Sequence, residues 1–214
     1  MRSIALFPCS YTDGAGIIGE LSAALRLQVY TDDMLFADIS KRFGVPVHEL
    51  KKTIFARESE PDRQPSDKEK YITFARLLLV APTMLYSGRR MFYGLHTALL
   101  DTAGERILKV LVFDSEERRM RRAMRQEGCK EAAAREYIRR HDEKVSRWTR
   151  YLCGKDAYDR SLYDFFVSYD NNGLLDITAQ IVQQYKAAYN PSKPFPVVPE
   201  YRIPVNGSVA GLLG

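Results

Sequence analysis

A cluster of glycines follows the first apolar run of the chain. "SIALFPC" covers residues 3–9 and "SYTDGAGIIG" covers residues 10–19. Glycine lets a backbone approach a ligand closely, and the amides at a helix N-terminus attract phosphate. Gly14-Ala15-Gly16-Ile17-Ile18-Gly19 fits the G-x-G-x-x-G spacing of a dinucleotide site, with Asp32 downstream as its acidic partner. The stretch from Pro8 to Asp13 instead suits a longer loop that wraps a phosphate. The pattern G-x-x-x-x-G-K-[ST] does not occur, and no Lys or Arg lies between Arg2 and Arg26. A tight turn that holds no ligand is the third reading. Two carboxylates stand at strand ends. Asp32 could orient an acceptor or a metal-bound water, or simply cap a helix. Asp114 could hold Mg²⁺ through water, or cap the helix that starts at Ser115.

The second feature is positive charge. Between Arg118 and Arg150 there are twelve Arg or Lys against five acids, while the whole chain carries a net charge of only +5. Ten of the twelve are arginine, whose planar fork suits bidentate phosphate contacts. Pairs such as Glu131–Arg135 and Glu136–Arg140 have helical spacing and would neutralise part of the row. The remainder could face phosphates or form a nucleic-acid patch, with Trp148 and Tyr151 interleaved.

These residues need elements to position them. Strands are expected at 3–9, 28–31, 83–88, 105–114 and 161–170. Helices are expected at 16–27, 32–44, 46–56, 68–81, 115–128, 129–154 and 174–190, the sixth broken near His141. Asp32 or Asp33 is the expected N-cap of the second helix. Residues 57–70, "RESEPDRQPSDKEK", read as a polar flap, and 191–214 as a proline-rich tail. Strand and helix alternate throughout, which argues for a parallel α/β sheet covered on both faces, in one domain over 1–190. Ligands of such sheets bind at the carboxyl ends of the strands.

The bulk numbers limit the classes. With 214 residues, 45% hydrophobic and 28% charged, the chain has the composition of a soluble domain with a full core. No apolar run is long enough to span a membrane. Three cysteines without metal spacing suit a reducing, cytoplasmic setting. The histidines His48, His96 and His141 show no ligand spacing.

The order of parts resembles the cytidylate kinase-like family of P-loop nucleoside monophosphate kinases. It runs from the glycine loop through "VYTDDML", "YSGRR" and "EERRMRRAM" to "DEKVSRWTRYLCGKDAYDRSLYDFF", over roughly 3–185. The resemblance implies a three-layer α/β/α fold with a five-stranded parallel sheet and mobile lid segments. It implies phosphoryl transfer from ATP, with Mg²⁺, to a nucleoside monophosphate or similar small acceptor. Carried over, Tyr11 to Gly19 is the phosphate loop, with Thr12, Asp13, Gly14, Ala15, Gly16 and Ile17 as its cofactor contacts. Asp32 and Arg89 would serve the acceptor, Arg119 and Arg122 the phosphates, and Arg147 the transferring group; Arg150, beside it, is a further catalytic candidate that could substitute for the absent loop lysine. The lid would lie at about 129–158, and the 57–70 flap would help to cover the acceptor. The sequence departs from the family where Gly16 replaces the loop's basic residue, Ile17 its Ser/Thr and Val145 a second lid arginine. A binding-only protein on the same fold is therefore the second reading. Nucleic-acid binding through the arginine row and an NAD-dependent oxidoreductase come further behind.

Overall fold

The computed structural model describes residues 3–56, 65–79, 89–100, 107–169 and 172–188. Five strands form one parallel sheet in the order β2-β3-β1-β4-β5. They are β1 (Ser3–Pro8), β2 (Gln28–Thr31), β3 (Arg90–Tyr93), β4 (Ile107–Phe113) and β5 (Phe165–Ser168). The longest pairing joins β1 to β4, from Ser3↔Ile107 to Pro8↔Val112. Alternation along β1 sends Ile4 and Leu6 to one face and Ala5 and Phe7 to the other, and all four are buried.

Helices cover both faces. On one side α1 (Gly14–Leu25) and α7 (Leu174–Ala188) bury Ile17, Leu21, Ile177 and Ile181 against β1, β4 and β5. On the other side lie α2 (Asp32–Phe43), α3 (Val47–Phe55) and α4 (Pro65–Leu79), with a 3-10 helix at Leu95–Leu99. They enclose Leu35, Ile39, Leu50, Ile72 and Leu79 with Tyr30 and Phe92. Two further helices, α5 (Glu116–Glu127) and α6 (Glu131–Cys153), pack on each other through Ala123, Ala134 and Ile138. This is the expected three-layer α/β/α architecture.

Several local expectations are corrected. The N-cap of α2 is Thr31, whose hydroxyl accepts from Met34 N, so Asp32 and Asp33 fall in the first turn. α4 begins at Pro65, because proline fits the first helical position and the following polar residues carry good helix propensity. That removes 65–70 from the flap, whose residues 57–64 lie outside the described ones, as do the strand expected at 83–88 and the 191–214 tail. α6 runs unbroken through His141. No Gly or Pro interrupts it, and the Arg139–Glu143 pair ties its turns together across that point. β5 shortens to four residues, because a 3-10 turn at Arg160–Leu162 precedes it.

Candidate functional site

The carboxyl ends of β1, β2, β3 and β4 converge beside α6, and the site is built there. β1 ends at Pro8 and α1 starts at Gly14, so residues 9–13 form the connecting loop. It folds on itself: Thr12 Oγ1 donates to Cys9 O at 2.9 Å, and Gly14 N donates to Thr12 O at 2.9 Å. Tyr11 sits at φ +57°, in the left-handed region that side chains disfavour. Asp13 caps α1, its Oδ1 accepting from Gly16 N at 3.1 Å. Burial pushes the Cys9 thiol up to about 11, against the pull of Arg119, so this loop cysteine is no nucleophile near neutral pH.

The two glycines are tightly covered. A Cβ on Gly14 would lie 1.9 Å from Tyr93 Oη, and one on Gly16 would lie 2.6 Å from Asp13 Oδ2 and 2.9 Å from Leu174 Cδ2. Gly19, by contrast, has open space around it. It makes none of the close helix–sheet contact that the third glycine of a dinucleotide site supplies. The strand order also differs from the dinucleotide pattern, in which strand 2 lies beside strand 1.

Two arginines of α5 hold the loop by its carbonyls. Arg119 is buried; its Nε donates to Ser10 O at 2.9 Å, and its Nη2 donates to Asp142 Oδ1 at 2.6 Å and Oδ2 at 2.7 Å. The same Nη2 also contacts Ser10 Oγ. Arg122 Nη1 donates to Asp114 Oδ2 at 2.5 Å and to Tyr11 O at 3.3 Å, and its guanidinium lies 4.9 Å from the centre of the Tyr169 ring. Asp114 is thereby engaged with Arg122, with Arg118 at 3.9 Å and with Ser115 N at 2.8 Å. The cap of α5 is Ser115.

Asp32, at the end of β2, reaches across to the residues after β3. Its Oδ2 accepts from Leu95 N at 2.9 Å; its Oδ1 accepts from His96 N at 2.9 Å and lies 2.6 Å from His96 Nδ1. It thus caps the Leu95–Leu99 turn. Gly94 makes this approach possible, since its φ is +129° and a Cβ there would fall 2.3 Å from Asp32 Oδ2. Burial alone would raise the Asp32 pKa, but the His96 and Leu95 donors outweigh it and hold the carboxyl below its ordinary value. His96 is buried edge-on to Tyr30 and Phe92, and its Nε2 has no hydrogen-bond partner among the described residues.

α6 joins the two halves of the site. Asp142 accepts from Ser10 Oγ at 3.1 Å and Tyr158 Oη at 2.9 Å, Val145 is buried with Phe7 and Leu111, and Trp148 Nε1 donates to Leu95 O at 2.8 Å. Lys144, between these anchors, is half-buried and within electrostatic reach of Asp32, Lys51 and Arg147. Burial pulls its pKa down; Asp32 opposes, and the cations Lys51 and Arg147 add to the fall. Arg147 is exposed and makes no ion pair among the described residues. Arg150 pairs with Asp156 at 2.7 Å.

The expected site residues therefore separate into groups. Thr12 to Ile17, Arg119, Arg122 and Asp114 do meet at the loop, with the arginines turned to the loop's carbonyls and the chain's own acids. Arg147 lies within electrostatic reach of Lys144, one turn further along α6. Arg89 does not join them. It precedes β3, its carbonyl accepting from Gln28 N at 3.1 Å, and so lies at the amino edge of the sheet. That is a strand length, about 13 Å, from the loop. Tyr93 over Gly14, His96 beside Asp32 and Lys144 on α6 have no signal in the sequence, because only tertiary packing, with α6 resting on Phe7, Leu111 and the Leu95 turn, brings them to these residues. Much of the arginine row is spent on helix pairs: Arg135 with Glu116 and Glu131, Arg139 with Glu136 and Glu143, and Arg140 with Glu136. Among the described residues no helix is long and apolar enough to cross a membrane, and no group of three His, Cys, Asp or Glu could hold a metal ion.

The fold has solved relatives. An uncharacterized protein from Eubacterium ventriosum superposes with a TM-score of 0.66 at 12% identity, covering 87% of this chain and 99% of its own. TT1252 from Thermus thermophilus gives 0.53 at 16% identity, covering 88% and 98%. A shikimate kinase from Bacteroides thetaiotaomicron gives 0.51 at 12% identity, covering 87% and 98%. At these identities the likeness is one of fold. No curated protein sequence matches. The model of the cytidylate kinase-like family matches residues 4–171, most of the chain. With a five-stranded parallel sheet, a glycine loop after its first central strand, an arginine-bearing helix at its carboxyl edge and a family model matched over most of its length, the chain belongs to the cytidylate kinase-like family.

Proposed function

We propose that the chain is a phosphotransferase for a nucleoside monophosphate or a similarly small phosphorylated acceptor, bound between α6 and the carboxyl ends of β1, β2 and β3. The family and fold support a kinase-like function on a nucleotide or other small molecule. One observation carries the finer reading: Trp148 Nε1 donates to Leu95 O, so α6 brings the exposed Arg147, which makes no ion pair among the described residues, to the turn that Asp32 caps, at the edge where such sheets take their ligands. Phosphoryl transfer needs positioning and positive charge rather than covalent help, and Arg147 supplies charge for an anionic acceptor. Asp32 keeps the Leu95–His96 turn in place.

In this family ATP would be the donor, with Mg²⁺ at its phosphates. The residues at the loop, as folded, do not fit that group. Gly16 N is taken by Asp13, Ile17 offers no oxygen to a metal, and Asp114 is neutralised by Arg122. Asp13 would have to leave the Gly16 amide before a polyphosphate could use it, and no step is assigned to the donor here. This same observation favours the second reading, a protein that binds a nucleotide without turning it over.

The transfer reading is tested by kinetics of Arg147→Ala and Arg150→Ala against a panel of nucleoside monophosphates with ATP and Mg²⁺. Arg147 makes no ion pair among the described residues, and Arg150 is held by Asp156. The expected loss in kcat/KM is therefore large for the first, about 10²–10³-fold for a group on the transferring charge, and small for the second. Equal, small effects for both would remove Arg147 from the mechanism.

A further inference from the structure

We infer that the loop between β1 and α1 is a two-position switch. Asp13 holds the Gly16 amide in one position and the buried hydroxyl of Tyr169 in the other, and only the second leaves the amide open to an anion. The chain thus carries its own carboxylate as an internal competitor at the loop. The inference rests on the reading that a polyphosphate donor uses this loop, and it goes further by assigning the regulation of the loop to Asp13 and Tyr169.

The first position is the one the fold displays. Asp13 Oδ1 accepts from Gly16 N at 3.1 Å and caps α1. A Cβ on Gly16 would lie 2.6 Å from Asp13 Oδ2, so the carboxylate covers the first turn, where an anion would meet the amides. Gly14 N is closed as well, bonded to Thr12 O at 2.9 Å. No Lys or Arg lies between Arg2 and Arg26, so no basic side chain of the loop offsets the Asp13 charge. Arg119 and Arg122, which hold the loop from α5, are bonded to Asp142 and Asp114.

The second position is marked by an orphan. Tyr169 is 3% exposed, and its Oη has no hydrogen-bond partner among the described residues. A buried hydroxyl in that state forfeits its hydration and gains nothing in return. Packing puts it beside the loop. Tyr169 shares one buried cluster with Ile17, Tyr93 and Leu174. Leu174 Cδ2 would lie 2.9 Å from the same Gly16 Cβ that meets Asp13, and Tyr93 Oη would lie 1.9 Å from a Cβ on Gly14. The Tyr169 ring lies 4.9 Å from the guanidinium of Arg122, whose Nη1 donates to Tyr11 O at 3.3 Å, two residues before Asp13. Burial pushes the Tyr169 phenol up to about 12 and the Asp13 charge adds to the rise, so the hydroxyl keeps its proton and is a donor. Of the two carboxylates that bear on it, Asp114 is engaged with Arg122 and Ser115 N, while Asp13 holds the single amide of Gly16. Moving Asp13 from Gly16 N to Tyr169 Oη breaks one hydrogen bond, makes one and passes the open amide to solvent.

The test is amide hydrogen exchange at Gly16, read by NMR without ligand, with the Leu21 amide of the same helix as the reference for overall stability. Tyr169→Phe keeps the ring against Arg122 and removes the second position. It is expected to slow exchange at Gly16 about three- to tenfold relative to Leu21, the weight of one hydrogen bond. Asp13→Ala removes the carboxylate and is expected to speed it by about tenfold or more. If Tyr169 only packs, Tyr169→Phe leaves the ratio unchanged or speeds exchange at Gly16, and either result overturns the switch. Calorimetric titration with inorganic tripolyphosphate reads the competition. Asp13→Ala is expected to bind about tenfold more tightly than the parent, and the double variant Asp13→Ala/Tyr169→Phe to match Asp13→Ala. No gain in Asp13→Ala, or weaker binding by the double variant, overturns the proposal. Failure of the phosphotransferase reading looks different: the switch would operate in exchange and in titration while no diphosphate ever forms.

Discussion

Arg119 is the residue on which a phosphate-binding role and a structural role give opposite results. In the fold its guanidinium is buried and makes a two-oxygen contact with Asp142 while donating to Ser10 O. Arg119→Met removes one partner of this pair. Leaving a buried carboxylate uncompensated costs about 3–5 kcal/mol. Asp142 keeps the Ser10 and Tyr158 hydroxyls, and its side chain is 26% exposed, so water and two donors offset part of that. The expected loss is about 2–4 kcal/mol, which for a chain of this size lowers Tm by roughly 5–15 °C. Arg119→Lys keeps the charge and loses the fork, so its loss is smaller, about 1–2 kcal/mol. Urea unfolding followed by circular dichroism measures both, with the slope m expected to be unchanged. The reasoning is refuted if Arg119→Met unfolds within about 2 °C of the parent while its affinity for nucleoside monophosphate collapses. That result would make Arg119 a ligand arginine, as the sequence alone suggests.

Two further outcomes follow from the same geometry. Gly14→Ala places its methyl against Tyr93 Oη and costs about 1–3 kcal/mol despite alanine's better helix propensity; adding Tyr93→Phe removes the nearest atom and restores part of the loss in thermal unfolding. Asp32 has a native pKa below its unfolded value, so its contribution is fully present above the unfolded pKa, about 4, and is lost as pH falls through the native one. Asp32→Asn is accordingly expected to be less stable than the parent at pH 6, with the gap closing towards pH 3 in urea titrations. A gap that stays constant over that range would mean the carboxylate contributes nothing through its charge.

The architecture is largely legible in the string of residues, because it rests on local patterns. Ile17, Leu21 and Leu25 recur at helical spacing, β1 and β4 are nearly continuous apolar runs, and Gly44, Gly128 and Gly154 stop their helices in the left-handed conformation. The third strand was harder. "RMFY" at 90–93 is only four residues long and opens on the second of two arginines, so the expected strand lies earlier, while Arg89, expected after a strand, precedes β3. The glycine loop was legible as a position. Its chemistry was not, because a capping aspartate and a phosphate-binding loop share one local signature, and only the Asp13–Gly16 contact tells them apart. Charge counts likewise could not show which arginines are spent. Arg119 and Arg122 find acids 23 and 8 residues away, and the partners are fixed by the packing of α5 on α6 and on the loop. Lys144 is one lysine among many in the sequence and gains its meaning from the buried anchors at Val145 and Trp148.

The most direct test of the account is product formation by the unmodified protein. The pure protein is incubated with ATP, Mg²⁺ and, in turn, CMP, dCMP, UMP, AMP and GMP, and the nucleotides are resolved by mass. The account predicts a diphosphate of at least one acceptor, formed with matching ADP and absent in Arg147→Ala. No diphosphate with any acceptor, alongside measurable monophosphate binding, would contradict the transferase reading and leave a nucleotide-binding protein on a kinase fold.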